Sequence, residues 1–106
     1  MRSARDLVKD RERRCCARCG VYIYDGMMAS VHHRKLKSRG GESTVENLVL
    51  LCGSGTTGCH GWCHANVEVA QHEGWIVHSW ENPAEVPVFP TTGGAFYLST
   101  IWKKAE

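Results

Sequence analysis

Four histidines and an asparagine stand in a pattern that can do chemistry: His32-His33, then Asn47, then His60 and His64. An imidazole nitrogen binds divalent metals, and with a pKa near ~6.5 it also accepts a proton at neutral pH. His60 and His64 are four apart, so on a helix both rings fall on one face, as a helical ligand pair requires. His32 and His33 are adjacent, so on a strand they point to opposite sides. One can reach an ion while its neighbour does something else. Together these residues can build a metal site with a free base beside it. Each pair alone carries little weight, because exposed histidines are common and helical spacing of two of them is weak evidence of ligation.

The elements that must hold these groups follow from the pattern. Ser3, three residues before Asp6, resembles a helix start. Arg5 to Arg14 reads as a short, mostly solvated helix with Asp10 and Arg14 as an i,i+4 pair and a face able to rest on DNA. Cys16-Ala17-Arg18-Cys19-Gly20 is a metal knuckle, since Gly permits the tight turn that aims both sulfurs at one ion. Val21–Tyr24 is β-rich and ends at the turn Asp25-Gly26. Two strands follow, 29–33 and 48–51, joined by a polar loop with Gly40-Gly41 in its middle. Gly53–Gly58 is a glycine-rich turn that lacks the Lys-Ser/Thr ending of a phosphate loop. Thr56 or Thr57 can cap a helix from about Cys59 to Glu73, stopped by Gly74. Trp75–Trp80 alternates as a strand, Asn82-Pro83 turns, and Ala95–Trp102 reads as a last strand.

His32-His33, the Gly40-Gly41 loop, Glu46-Asn47-Leu48, Leu51-Cys52, Cys59-His60 and His64 in this order resemble the HNH endonuclease family. The resemblance covers about residues 16–80. His60-Gly61-Trp62 and the glycine-rich turn before it look like the small HNH proteins of bacteriophages and prophages. The resemblance implies an α+β fold, a ββα-metal (His-Me finger) domain in which a hairpin and a helix wrap one divalent ion. An amino-terminal helix and extra carboxy-terminal strands complete it. It implies one nuclease domain over 1–106, with the core motif at 16–74 and a β extension at 75–106. It also implies the roles: His33 is the general base, and Asn47 ties the long loop to the strand and orients His33. His32, His60 and His64 hold the catalytic ion. Many relatives have Asp at the position of His32, so the working metal stays open among Zn²⁺, Mn²⁺, Ni²⁺ and Mg²⁺. Three imidazoles suit the first three better than the oxygen-seeking Mg²⁺.

Cys16, Cys19, Cys52 and Cys59 give four thiolates, the common closed structural zinc site. The six residues between Cys52 and Cys59 exceed the Cys-x-x-Cys usual in relatives. Cys15 can stand in for Cys16, and Cys63 either substitutes for Cys59 or is a buried small hydrophobe. His72 and His78 lie outside the motif. The four tryptophans, Trp62, Trp75, Trp80 and Trp102, read as core.

A chain of 106 residues is one domain with a modest core. Its net charge of +2 is unevenly spread. Residues 1–39 carry eleven Lys and Arg against four Asp and Glu, and residues 40–106 two against seven. A basic amino-terminal third suits phosphates. Beside the proposed centre, Arg34, Lys35, Lys37 and Arg39 are candidate backbone contacts to double-stranded DNA. No apolar run approaches a membrane span, and no charged-then-apolar leader opens the chain. The expectation is a cytoplasmic protein, in the host cell if phage-encoded, where cysteines favour metal over disulfides. The reading is a monomeric, metal-dependent DNA endonuclease, with the family's association with phage terminase and genome packaging as a further implication. The alternative is a non-catalytic zinc-containing nucleic-acid-binding module or packaging adaptor.

Overall fold

The structure, a computed structural model, describes residues 2–105. Helix α1 spans Ala4–Arg11, and the Ser3 hydroxyl accepts from the Asp6 amide at 3.2 Å, the cap that the sequence suggests. Arg13 and Arg14 then take left-handed backbone angles, φ 55° and 58°, and turn the chain back. Such angles are costly for residues with a Cβ. Arg14 therefore leaves the helix and pairs with Asp25 at 3.6 Å, and the Asp10–Arg14 pair does not form. Asp10 is bonded by Arg2 instead.

Val21–Tyr24 forms no strand; it contributes an isolated antiparallel bridge between Cys15 and Tyr22. Strands β1 (Ala29–His33) and β2 (Leu48–Cys52) form an antiparallel hairpin, with His32 opposite Val49 and His33 opposite Leu48. Every residue of β2 is buried. The long connection carries one turn of 3₁₀ helix, Lys37–Arg39.

The glycine-rich turn closes tightly on itself. A Cβ on Gly53 would lie 2.0 Å from the Thr57 carbonyl oxygen, and one on Gly58 would lie 2.6 Å from that of Cys52. Both glycines have positive φ, so here glycine is required twice over. This turn aims the next helix back across the hairpin.

The single helix expected over 59–73 is two: α2 (Gly58–Ala65) and α3 (Val67–His72). The break is Asn66, whose angles (φ −130°, ψ 56°) are not helical. Its side-chain amide and backbone N–H both bond to the Trp62 carbonyl, at 3.0 and 2.9 Å. That local competition is why asparagine interrupts helices.

Trp75–Trp80 is not a strand either. Trp75, Ile76 and Val77 are buried, but their amides bond to Ala70 and Arg34 carbonyls rather than to a ladder. A 3₁₀ turn at Pro83–Glu85 is capped by Asn82. The expected last strand is a hairpin, β3 (Phe96–Leu98) paired with β4 (Trp102–Lys104).

The core joins Val8, Ile23, β2, Cys63, Ala70, Trp75, Val88 and Leu98. Of the tryptophans, Trp75 is fully buried, Trp62 and Trp102 are half-buried, and Trp80 is 79% exposed, so Trp80 is not core. Instead it stacks on His78, which pairs with Glu81 at 2.7 Å. No helix among the described residues is long and apolar enough to cross a membrane.

Candidate active site and metal centres

The hairpin and α2 bring His32, His60 and His64 together, with one nitrogen of each within 4.8 Å of the others. His32 comes from the inward side of β1 and is 3% exposed. Its Nε2 lies 2.8 Å from the Trp75 carbonyl oxygen, which can only accept. Nε2 therefore carries the proton, and Nδ1 keeps its lone pair for a metal, the usual arrangement of a ligating histidine. Burial pushes the His32 pKa down to about 4, and the nearby His60, His64 and His33 rings push the same way. His60 is lowered by burial and by His64.

His60 Nε2 and His64 Nε2 face one another at 3.1 Å. Nitrogens on one ion at 2.0–2.1 Å in tetrahedral geometry stand about 3.3 Å apart. His60 Nδ1 is buried without a hydrogen-bond partner among the described residues. These residues fit a divalent ion held by three imidazoles.

His33, on the other side of β1, stays out of that cluster and is half-buried. Its Nε2 lies 3.1 Å from the Ser43 hydroxyl. Burial, with the charges of Lys37 and Arg5, holds its pKa below the ordinary value, which favours the neutral ring that accepts a proton.

Asn47 is 1% exposed, one residue before β2. Its Oδ1 accepts from the Lys35 amide at 2.6 Å, and its Nδ2 donates to the Lys35 and Glu42 carbonyls at 3.0 and 2.9 Å. Its own carbonyl accepts from the Arg34 amide at 2.8 Å. Asn47 thus clamps the long loop right after His33, and each of its three side-chain hydrogen bonds goes to the backbone.

Arg34 is corrected by its position. It is fully buried, and its guanidinium donates to the carbonyls of Gly74, Glu46, Pro83 and Val86 at 2.5–3.0 Å. Burial lowers its pKa, and the Arg11 charge adds to this. It is a structural tie and has no free face for phosphate. Lys37 and Arg39 are exposed and Lys35 half-buried.

The second cluster is Cys16, Cys19, Cys52 and Cys59, again within 4.8 Å of one another. It draws on the knuckle, the end of β2 and the first turn of α2. Cys19 Sγ and Cys52 Sγ are 3.9 Å apart, close to the ~3.8 Å separation of two sulfurs on one tetrahedral zinc at 2.3 Å. These four residues fit a structural zinc ion.

Cys15 lies apart, its thiol 3.5 Å from the Arg13 carbonyl. Cys63 is fully buried in the core, its pKa pushed up to about 12 by burial. All six cysteines are free.

The sequence reading passed over Arg18, between the knuckle cysteines. Its guanidinium lies 3.6 Å over the Trp62 ring, donates to Cys59 Sγ at 3.4 Å, and pairs with Glu73 at 3.7 Å. A cation there offsets thiolate charge. Its place inside the Cys-x-x-Cys was the available signal. The Trp75 carbonyl that fixes His32 left no signal, because it is backbone.

No curated protein and no solved structure matches the chain. The family model described as HNH endonuclease matches residues 16–68, half of the 106. That stretch begins at the first clustered cysteine and runs through the hairpin and both histidines of α2. The chain therefore belongs to the HNH endonuclease family, whose domain carries nuclease-type activity in general.

Proposed function

We propose that the protein is a catalytically active, metal-dependent endonuclease that hydrolyses phosphodiester bonds in double-stranded DNA. The observation that carries this reading is the division of labour on β1. His32 turns inward among the metal-binding histidines, while the adjacent His33 is left free, half-buried and outside that cluster.

His32, His60 and His64 would hold one divalent ion. Bound there, it supplies Lewis-acid neutralisation of the scissile phosphate and of the leaving oxygen. His33 takes the proton from the attacking water. Such a base contributes on the order of 10²–10⁴ in rate. Ser43, 3.1 Å from His33 Nε2, limits rotation of the ring. Asn47 fixes the backbone on either side of the loop and so positions His33. Lys35, Lys37 and Arg39 hold the DNA backbone near the centre. The half-reaction at the other end needs a proton for the 3′ oxygen, which bulk water supplies.

Plasmid cleavage with Mn²⁺, Mg²⁺, Zn²⁺ or Ni²⁺ tests the reading. The wild type should nick or linearise supercoiled DNA, and folded His33→Ala should be slower by roughly 10²-fold or more. Equal cutting by folded His33→Ala, or no cutting by the wild type with any ion, rules it out.

A further inference from the structure

We propose that the groove between α1 and β1 is a track for the phosphate backbone of duplex DNA leading to His33, an inference that rests on the nuclease reading above. The groove encloses about 490 Å³. Arg5 and Lys9 of α1 form one wall, Arg14 and Tyr24 the far end, and Ala29 and Val31 of β1 the floor.

The floor leads to the candidate base. Val31 and His33 are two apart on β1, so they share a face of the strand. Arg5 is the first cation of α1 on the groove. Lys9 follows one helical turn later, about 6 Å along the axis, and Arg14 continues the row beyond the helix. The left-handed backbone at Arg13 and Arg14 is what brings Arg14 to the groove and away from the line of α1.

The charge balance favours a polyanion. Arg5 and Lys9 are exposed and form no ion pair among the described residues. The one acidic residue on the lining is Asp25, which is 3.6 Å from Arg14 in a pair open to solvent. Asp10 on α1 is taken by Arg2. A groove lined by three cations suits the sugar-phosphate backbone, which needs charge at its phosphates and makes no sequence demand.

The test is binding of a short fluorescent DNA duplex across a salt series, using zinc-loaded full-length protein in the slower-cutting His33→Ala background. Three phosphate contacts contribute about 2.7 to the slope of log K against log salt. Arg5→Ala/Lys9→Ala/Arg14→Ala should reduce the slope by that amount. Arg5→Lys/Arg14→Lys, which keeps every charge, should preserve it. Lys103→Ala/Lys104→Ala, on the distal hairpin, should leave it unchanged. Lys9→Ala alone should lower it by about 0.9, which keeps the question answerable if the triple variant folds poorly.

An unchanged slope in the folded triple variant, or in Lys9→Ala, overturns the groove. A larger groove-dependent slope with duplex RNA overturns DNA as the occupant. Plasmid cleavage by the wild type, run in parallel, separates the two ideas. Cutting with an unchanged slope removes the track and leaves the nuclease. Absence of cutting with every ion removes the nuclease reading and the track with it.

Discussion

Arg34 uses all three guanidinium nitrogens on main-chain carbonyls: Nε on Gly74, Nη1 on Glu46 and Pro83, Nη2 on Val86. Those carbonyls belong to α3's exit, the entry to β2 and the Pro83 turn, so one side chain ties three irregular segments beside the candidate base. A buried charge that forms no ion pair among the described residues survives because the carbonyl dipoles converge on it. Arg34→Lys keeps the charge but replaces a planar fork with a single ammonium. At least one buried carbonyl then goes unpaired, at about 1–3 kcal/mol. For a domain of this size, melting should fall by roughly 4 °C or more. A variant that melts like the wild type and loses only DNA affinity would return Arg34 to the DNA-facing surface. Nothing local distinguishes Arg34 from Lys35 or Lys37 in a basic run, so its burial was not legible. The tie that Asn47 makes to the long loop was implied by the family resemblance, because Asn47 matches the family's middle asparagine.

At the scale of elements, the hairpin and α2 position the histidines, and the cysteine cluster fixes the hairpin to α2. Cys52 closes β2 and Cys59 stands in the first turn of the helix, so a zinc ion there would set the angle at which His60 and His64 meet His32. Structural zinc supplies about 10–16 kcal/mol of apparent binding free energy in small domains, more than the net stability of most of them. Stripping zinc with a strong chelator should therefore abolish cooperative thermal unfolding. Mass spectrometry of the untreated protein should find one tightly held zinc. Zinc-free protein with an unaltered melting curve would mean that the four cysteines are not a structural metal site. The helix break at Asn66 was hidden from the sequence because helical spacing continues across it, through His60, His64 and Val67. The strand expected at Trp75–Trp80 failed for a similar reason. Alternation marks which side chains are buried, but here the backbone bonds go to Ala70 and Arg34 rather than to a neighbouring strand.

Across the whole molecule, a buried ion pair joins both ends of the chain to the central strand. Arg11 and Glu12 side chains are 2% and 1% exposed, and Arg11 Nε donates to Glu12 Oε1 at 2.6 Å. Arg11 also reaches the Val45, Leu48 and Ser99 carbonyls. Glu12 accepts from the Leu50 amide and from Trp102 Nε1. Helix α1, strand β2 and the carboxy-terminal hairpin are thus held by one network. Glu12→Gln leaves Arg11 without its counter-charge, and breaking a buried pair from one side costs about 3–5 kcal/mol. The variant should melt well below the wild type, and the hairpin amides 96–104 should lose hydrogen-exchange protection. Unaltered melting would mean that the pair is dispensable and that the carbonyls alone anchor Arg11.

The sequence by itself determined the chemistry available. Spacing placed two imidazoles on one helix face and separated two others across a strand, because those periodicities are properties of the local backbone. It also marked the Cys-x-x-Cys-Gly knuckle, where the turn is local too. Tertiary structure decided which cysteines and histidines converge, that Arg34 is internal, and that Arg5 and Lys9 of α1 line one groove with β1. Those outcomes depend on burial and on contacts between residues far apart in the chain. A basic side chain reads the same in sequence whether it ends on a phosphate or on four carbonyls.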